Sequence, residues 1–177
     1  MQIRLATTDD LEALRGLVEA YTEETAQHGT ERHPALLLDA ILYGIRSDEA
    51  VVVAEQFDDV VGFCAWVHLP MSPDGKVEGL GTYVTPEWRL DHVSERMRQA
   101  ARAHAVKRGY RYVDGVAADG NEAGLRSVLN MGFRTVGVLV RLDFAETATP
   151  RDESRGAAAE DGLLTNVNDE TDMTGTV

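Results

Sequence analysis

A short turn between an apolar stretch and a helix is the segment of this sequence with the clearest capacity for chemistry. Residues 89–94 read RLDHVS and follow the stretch TYVTPEW. Backbone N–H groups at the start of a helix, together with the positive end of the helix dipole, bind phosphate. Glycines normally let the main chain approach the phosphate closely, but His92 and Ser94 stand where two glycines would be expected. The turn is therefore a candidate phosphate site with altered chemistry.

Several other titratable residues could take part in proton transfer. Glu78 and His68 lie on neighbouring predicted strands, where a carboxylate or an imidazole could act as a base. Outside a motif such residues are usually structural or face solvent, and we favour that interpretation for both. His28, Glu31 and His33 lie close together in a polar segment, but their spacing matches no metal site. We therefore expect no metal.

The composition argues against several classes of function. A chain of 177 residues is long enough for one domain with a real core. Its formal net charge of -13 would repel nucleic acid and anionic membranes, so we expect neither as a partner. No segment approaches the ~20 apolar residues of a membrane span, and the first ten residues lack the apolar stretch of a signal peptide. Cys64 is the single cysteine and lies in an apolar run, which predicts a buried thiol in a reduced, cytoplasmic protein.

The composition changes after Phe144. Residues 145–177 contain eight acidic and two basic side chains and no aromatic residue. Such a segment cannot bury enough apolar surface to offset the entropy lost on ordering. The sequence therefore predicts a domain at residues 1–144 and an acidic, disordered tail at residues 145–177.

Within residues 1–144, strand and helix patterns alternate in the order β-α-α-β-β-β-α-β-α-β. Thr8 or Asp9 can cap the first helix, a polar loop is predicted at residues 23–33, and Pro34 suits the first position of the second helix. Strands are predicted at residues 3–7, 50–56, 60–69, 76–84, 110–117 and 133–144. The third helix, which ends near Arg108, carries a stripe of apolar and small residues able to lie close to a sheet: Val93, Met97, Ala100 and Ala105.

The chain resembles the GNAT superfamily of N-acetyltransferases over nearly all of residues 1–144. One motif of that family places an Asn at the start of the last helix, a small residue three positions later and a Gly-Phe pair at the closing strand. Asn121, Gly124, Gly132 and Phe133 stand in that register. The physical roles agree with it, because Asn caps helices and a left-handed glycine can end one.

The second motif of the family lies at the turn described first. YVTPEWRLDHVS aligns with it without a gap, and Val84, Pro86 and Arg89 match the pattern. His92 and Ser94 replace its two glycines. Ser94 is a mild change, whereas the imidazole of His92 would occupy space that the phosphates need unless it rotates away.

The resemblance implies an α/β (α+β) fold, with a mixed, largely antiparallel central sheet flanked by helices. It implies acetyl-CoA as co-substrate, bound through these residues: Val84, Arg89, Asp91, His92, Val93, Ser94 and Asn121. Asp91 would add like-charge repulsion near the pyrophosphate. In the family, the backbone N–H at the position of Val84 also stabilises the tetrahedral oxyanion. Glu78, on the same predicted strand as Val84, is the candidate base. Val128 stands where many members have a tyrosine that protonates the leaving thiolate.

Two functions follow from these observations. The first is transfer of an acetyl group from acetyl-CoA to a primary amine of a small molecule or a protein, by a cytoplasmic protein that could form a homodimer. The second is a GNAT-fold binding or assembly module that no longer catalyses, which His92 and Val128 favour. Binding of acetyl-CoA separates the two.

Overall fold

The computed structural model describes residues 1–117 and 120–137, without the side chains of Leu90 and Asp91. The chain divides into two units, Met1–Arg134 and Thr135–Val177, and the first contains all the features discussed below. The predicted acidic tail lies outside the described residues, as do residues 138–144 of the predicted closing strand. Within the described part of the chain, no helix is long and apolar enough to cross a membrane.

The order of the elements confirms the predicted order as far as the last helix. The strands are β1 Gln2–Leu5, β2 Ala50–Gln56, β3 Asp59–Val67, β4 Lys76–Val84 and β5 Tyr112–Gly115. The helices are α1 Leu11–Ala26, α2 Pro34–Arg46, α3 Val93–Lys107 and α4 Glu122–Asn130, with short 3₁₀ helices at Thr8–Asp10 and Pro86–Asp91. Residues 133–137, the described part of the predicted closing strand, are not in a strand. The predicted loop also begins later than expected, because residues 23–26 continue α1.

The five strands form one sheet in the order β1-β2-β3-β4-β5. All neighbouring pairs are antiparallel except β4 and β5, which are parallel. The predicted hairpin of β2 and β3 is present and turns through Phe57 and Asp58, both of which have positive φ. Positive φ at both central residues matches the right-handed twist of the flanking strands. The fold class is therefore the predicted one, a mixed and mostly antiparallel sheet with helices.

Helices cover both faces of the sheet, which explains the uninterrupted apolar run of β2. Val51 and Val53 pack with residues of α1 and α2, whereas Val52 and Ala54 pack with residues of α3. Because side chains alternate along a strand, a strand with both faces covered must be apolar at every position. On α3 the fully buried alanine is Ala101 rather than Ala100, which is only partly buried.

The start of the first helix differs from the prediction. A 3₁₀ turn precedes α1, and its N-cap is Thr7 rather than Thr8 or Asp9. Oδ2 of Asp10 accepts a hydrogen bond of 2.7 Å from the backbone N–H of Thr7, but Asp10 makes no side-chain capping bond to α1 itself. Both of its carboxylate oxygens also accept bonds from the guanidinium of Arg4, at 2.8 and 2.7 Å. This bidentate pair holds the pKa of Asp10 below its usual value. The contact ties β1 to the start of α1.

Candidate functional site

Strand β4 is open on one side along its second half. Its pairing with β5 ends at Gly79 and Gly115, so among the described residues Leu80 to Val84 have no partner strand on that side. The pairing of β4 with β3 also shifts at this point, because Ala65 pairs with Gly81 and the next residue of β3 pairs with Gly79. Leu80 is the extra residue of this bulge. A bulge bends its strand and disrupts pairing locally, which suits a site that needs free main-chain groups.

The backbone of Val84 faces this open side. The N–H of the next residue, Thr85, donates to the carbonyl of Val61 on β3 at 2.9 Å. Successive N–H groups along a strand point to opposite sides, so the N–H and C=O of Val84 point away from β3. Consistent with this direction, Nε of Arg89 donates to the carbonyl oxygen of Val84 at 2.9 Å.

The turn before α3 has a glycine-like conformation without a glycine. His92 has φ 54° and ψ 25°, in the left-handed region, and immediately precedes the helix. Its side chain is 82% exposed, with Nδ1 at 3.4 Å from Oε2 of Glu95. It makes no side-chain capping bond to the helix, whose first residues are Val93 and Ser94. The imidazole therefore points to solvent. The preceding residue, Asp91, is the last residue of the 3₁₀ helix.

Arg89 links this turn to α1. Its Nη2 lies 2.5 Å from Oε2 of Glu24, and its guanidinium carbon lies 5.4 Å from the centre of the Tyr83 ring. The hydrogen bond to Glu24 is the main reason that the pKa of Arg89 is raised above its usual value. Arg89 thus holds the end of β4 and the end of α1 together.

An open cleft of about 480 Å³ lies between α1 and the end of β4. Its lining is mostly polar and includes the following residues: Ala20, Glu23, Glu24, Gln27, His28, Tyr83 and Arg89. The side chain of Tyr83 packs on the face covered by α1 and α2, whereas Val84 packs on the face covered by α3. The cleft and the start of α3 therefore lie on opposite faces of the sheet, with the backbone of Val84 between them.

Helix α4 carries the motif that begins with Asn121. Oδ1 of Asn121 accepts a hydrogen bond of 2.9 Å from the N–H of Gly124 and so caps the helix. A Cβ atom on Gly124 would lie 2.8 Å from the Asn121 amide, so a larger residue here would displace the capping side chain. Gly132 has φ 91° and ends the helix, and the ring of Phe133 lies 6.2 Å from that of Trp66. Val128 is half-buried on this helix and offers no proton donor.

The candidate bases do not lie at this site. Glu78 is six residues before Val84, or about 20 Å along an extended strand, and its carboxylate lies 2.9 Å from Nζ of Lys76. His68 has Nδ1 2.8 Å from the carbonyl oxygen of Lys76 and stacks on Tyr110 at 5.5 Å. Both contacts belong to the other end of β4. The structure therefore does not bring Glu78 or His68 to Val84.

The polar loop between α1 and α2 contributes to the cleft in part. His28 lines the cleft, and Nη1 of Arg32 donates to the carbonyl oxygen of Leu80 at the bulge. Glu31 and His33 do not line the cleft. In the described part of the chain, no three His, Cys, Asp or Glu side chains are grouped as a metal site requires.

Sequence reasoning missed several residues of this region. Glu24 falls in the segment predicted as a loop, although the continuing run of helix-forming residues before Gln27 was a signal for a longer α1. Tyr83 was treated as part of an apolar strand. Arg98 was not considered, yet it lies between two residues of the buried stripe of α3, Met97 and Ala101, and is itself buried.

The comparisons with known proteins agree with the fold. No protein-family model and no curated protein matches the sequence. Among solved structures, an N-acetyltransferase from Staphylococcus aureus is similar, with 23% identity, 81% of this chain and 90% of that chain covered and a TM-score of 0.65. A ribosomal-protein-alanine N-acetyltransferase from Brucella melitensis has 25% identity, 81% and 92% coverage and a TM-score of 0.62. The PaiA N-acetyltransferase from Thermoplasma acidophilum, in complex with coenzyme A, has 18% identity, 78% and 92% coverage and a TM-score of 0.63. The chain has the N-acetyltransferase fold of the GNAT superfamily.

Proposed function

We propose that this protein transfers an acetyl group from acetyl-CoA to a primary amine of a small molecule or a protein. The observation that carries the proposal is the open edge of β4, where the backbone of Val84 is directed away from β3 and α3 begins a few residues later. Solved structures of the same fold are N-acetyltransferases, and one of them is in complex with coenzyme A. The fold and the open edge together support acyl transfer more than a purely structural role.

In the proposed reaction the nitrogen of the neutral amine attacks the carbonyl carbon of the thioester with its lone pair. A C–N bond forms, the carbonyl oxygen becomes an oxyanion, and the N–H of Val84 stabilises that charge. The C–S bond then breaks, which gives the amide and the thiolate of coenzyme A. The proton lost by the amine balances the thiolate, and because Val128 cannot donate a proton, the exchange runs through water.

The two substrates would approach Val84 from opposite faces of the sheet. On the α3 side, the backbone N–H groups from Asp91 to Ser94 would hold the pyrophosphate. Arg89, which the sequence resemblance assigns to the same group, instead lies on the α1 side with its guanidinium bonded to Glu24. His92 makes no side-chain cap to the first turn of the helix, so the N–H groups of that turn donate no bond to the imidazole and could hold an anion. Asn121 would border the cofactor on α4. The capping bond to Gly124 orients its side chain.

On the α1 side, the polar cleft would receive the amine. Glu23, Glu24 and His28 line it, and carboxylates favour a cationic molecule over an anionic one. The amine that reacts must be neutral, so one of these groups or a water beside them would accept its proton. These groups replace Glu78 as the proposed proton acceptor, because Glu78 lies far along β4 from Val84.

The test begins with calorimetric titration of acetyl-CoA and coenzyme A into the full chain. Binding of both, followed by release of coenzyme A thiol with a panel of polyamines, amino acids and peptide amines, is the expected result. A thiol assay suits this protein because burial raises the pKa of Cys64 to about 11, which keeps the one protein thiol unreactive. Binding without turnover of any amine, or no binding at all, would instead favour the non-catalytic module.

A further inference from the structure

Arg98 is a buried cation between α3 and α4. Its exposure is 7%, and its guanidinium makes three contacts with neutral groups. Nη2 donates to Oγ of Ser127 at 2.6 Å and to Oγ of Ser94 at 3.1 Å, and Nε lies 3.1 Å from the sulfur of Met131. The side chain thus joins the first turn of α3 to the second half of α4.

The charge of Arg98 has no carboxylate partner within 4.0 Å among the described residues. The nearby carboxylate of Glu95 instead contacts His92 and Gln99. Burial lowers the pKa of Arg98, although an arginine stays protonated in proteins. An apolar residue of similar size at such a position is often as stabilising as a buried charge, or more so. Packing alone therefore does not account for an arginine here.

The position of Arg98 relates it to the turn that opens α3. Ser94 is one helical turn before Arg98 and is the last residue of the segment whose N–H groups would hold a diphosphate. The hydrogen bond to Oγ of Ser94 places the guanidinium beside the side chain of that residue, in the first turn of α3. A buried positive charge and the positive end of the helix dipole therefore act at the same place.

We propose that Arg98 is a binding residue for the diphosphate group of coenzyme A. This inference rests on the proposed function. Turns that bind phosphate normally gain close contact from glycines, which are absent at His92 and Ser94. A guanidinium beside Ser94 replaces part of that lost contact with charge, and it forms stronger hydrogen bonds with phosphate oxygens than a neutral donor does.

The experiment compares the affinities of three variants for coenzyme A and for dephospho-coenzyme A by calorimetry. Arg98→Met removes charge and polarity, whereas Arg98→Gln removes the charge and keeps the capacity to bond to the serines. Arg102→Met is the matched control, because Arg102 is an exposed arginine one turn further along α3. Loss of a charged hydrogen bond should weaken both ligands by about tenfold or more in both Arg98 variants. The Arg102 variant should stay within about twofold of the wild type.

Thermal unfolding of the ligand-free variants separates binding from folding. Arg98→Met should melt at or above the wild-type temperature, because it removes a buried charge that has no carboxylate partner in the described part of the chain. Unchanged affinity in Arg98→Met and Arg98→Gln would overturn the proposal. A loss of affinity confined to coenzyme A would also overturn it, because it would assign Arg98 to the 3′-phosphate, which dephospho-coenzyme A lacks. If the wild type binds neither ligand, the proposed function fails together with this inference.

Discussion

Replacement of His92 tests whether the phosphate turn has the required backbone conformation without its glycine. A residue with φ 54° lies in the left-handed region, which costs a residue with a side chain about 1–2 kcal/mol. Glycine avoids that cost but loses about 0.4–1 kcal/mol more chain entropy on folding than alanine. The difference predicts that His92→Gly is more stable than His92→Ala by about 0.5–1 kcal/mol. The imidazole itself is 82% exposed, so His92→Ala should remain close to the wild type.

Urea and thermal unfolding of the three proteins would measure this difference, which corresponds to about 1–4 °C in melting temperature. Alanine serves as the control because it lacks the imidazole but keeps the strain of a Cβ atom. Equal stability of the two variants, or a less stable glycine variant, would refute the left-handed conformation at this residue.

The same pair of variants separates the effect of the backbone conformation at residue 92 on acetyl-CoA binding from the effect of the imidazole side chain. Because the backbone at residue 92 is already left-handed, the N–H groups of Val93 and Ser94 need no glycine to reach their positions. The imidazole already points to solvent, so His92→Gly and His92→Ala should bind acetyl-CoA with affinities within about twofold of each other. Tightening by glycine alone would show that the free turn has to rearrange to bind.

Three further variants probe the fold and the chemistry. Asp10→Asn should lower the free energy of unfolding by about 2 kcal/mol at neutral pH, because it weakens the bonds to Arg4. Because folding lowers the pKa of Asp10, this difference should persist above about pH 4 and vanish as the pH falls through the folded-state pKa. Urea unfolding at several pH values would measure it. Gly124→Ala should stabilise the protein in an Asn121→Ala background but not in the wild type, because only the wild type has the capping amide that the new Cβ would meet. A double-mutant cycle in thermal unfolding measures this coupling, and additive effects of the two changes would contradict it. Val128→Tyr should raise coenzyme A release by supplying a proton donor, typically worth ~10²–10⁴ in rate; brisk wild-type turnover that falls in this variant would point to another proton path.

Much of the fold was readable from the sequence because its signals are local. Pro34 begins α2 as expected, since its fixed φ suits a first helical residue that needs no N–H partner. Gly109 ends α3 and Gly132 ends α4, both with positive φ, because glycine alone adopts that conformation without cost. Asn121 caps α4 through the bond to the residue three positions later. The predicted closing strand is wrong for residues 133–137, whereas its remainder, residues 138–144, and the acidic tail remain predictions.

The boundaries that failed were those where local signals compete. Residues 23–26 are polar enough to suggest a loop, yet they continue α1 because Thr22 and Thr25 lie buried on its inner face. At the start of that helix, Thr8 and Asp9 are the local candidates for the cap, but a 3₁₀ turn with Thr7 as its N-cap precedes α1. The carboxylate of Asp10 bonds to Thr7 and to Arg4 on β1, and no pattern within the helix itself contains the contact with Arg4.

The candidate site depends on relations between distant residues, which a sequence pattern does not contain. The pair of Arg89 and Glu24 joins residues 65 positions apart, and its geometry follows from how α1 lies against the end of β4. The open side of Val84 exists because β4 leaves β5 after Gly79, which depends on strand register and a bulge. Sequence by itself determined the order of the elements from β1 to α4 and the residues that begin α2 and cap α4, because those choices rest on neighbouring residues. Tertiary structure alone decided which backbone groups stay unpaired and which charge is buried, because those outcomes depend on packing across the whole sheet.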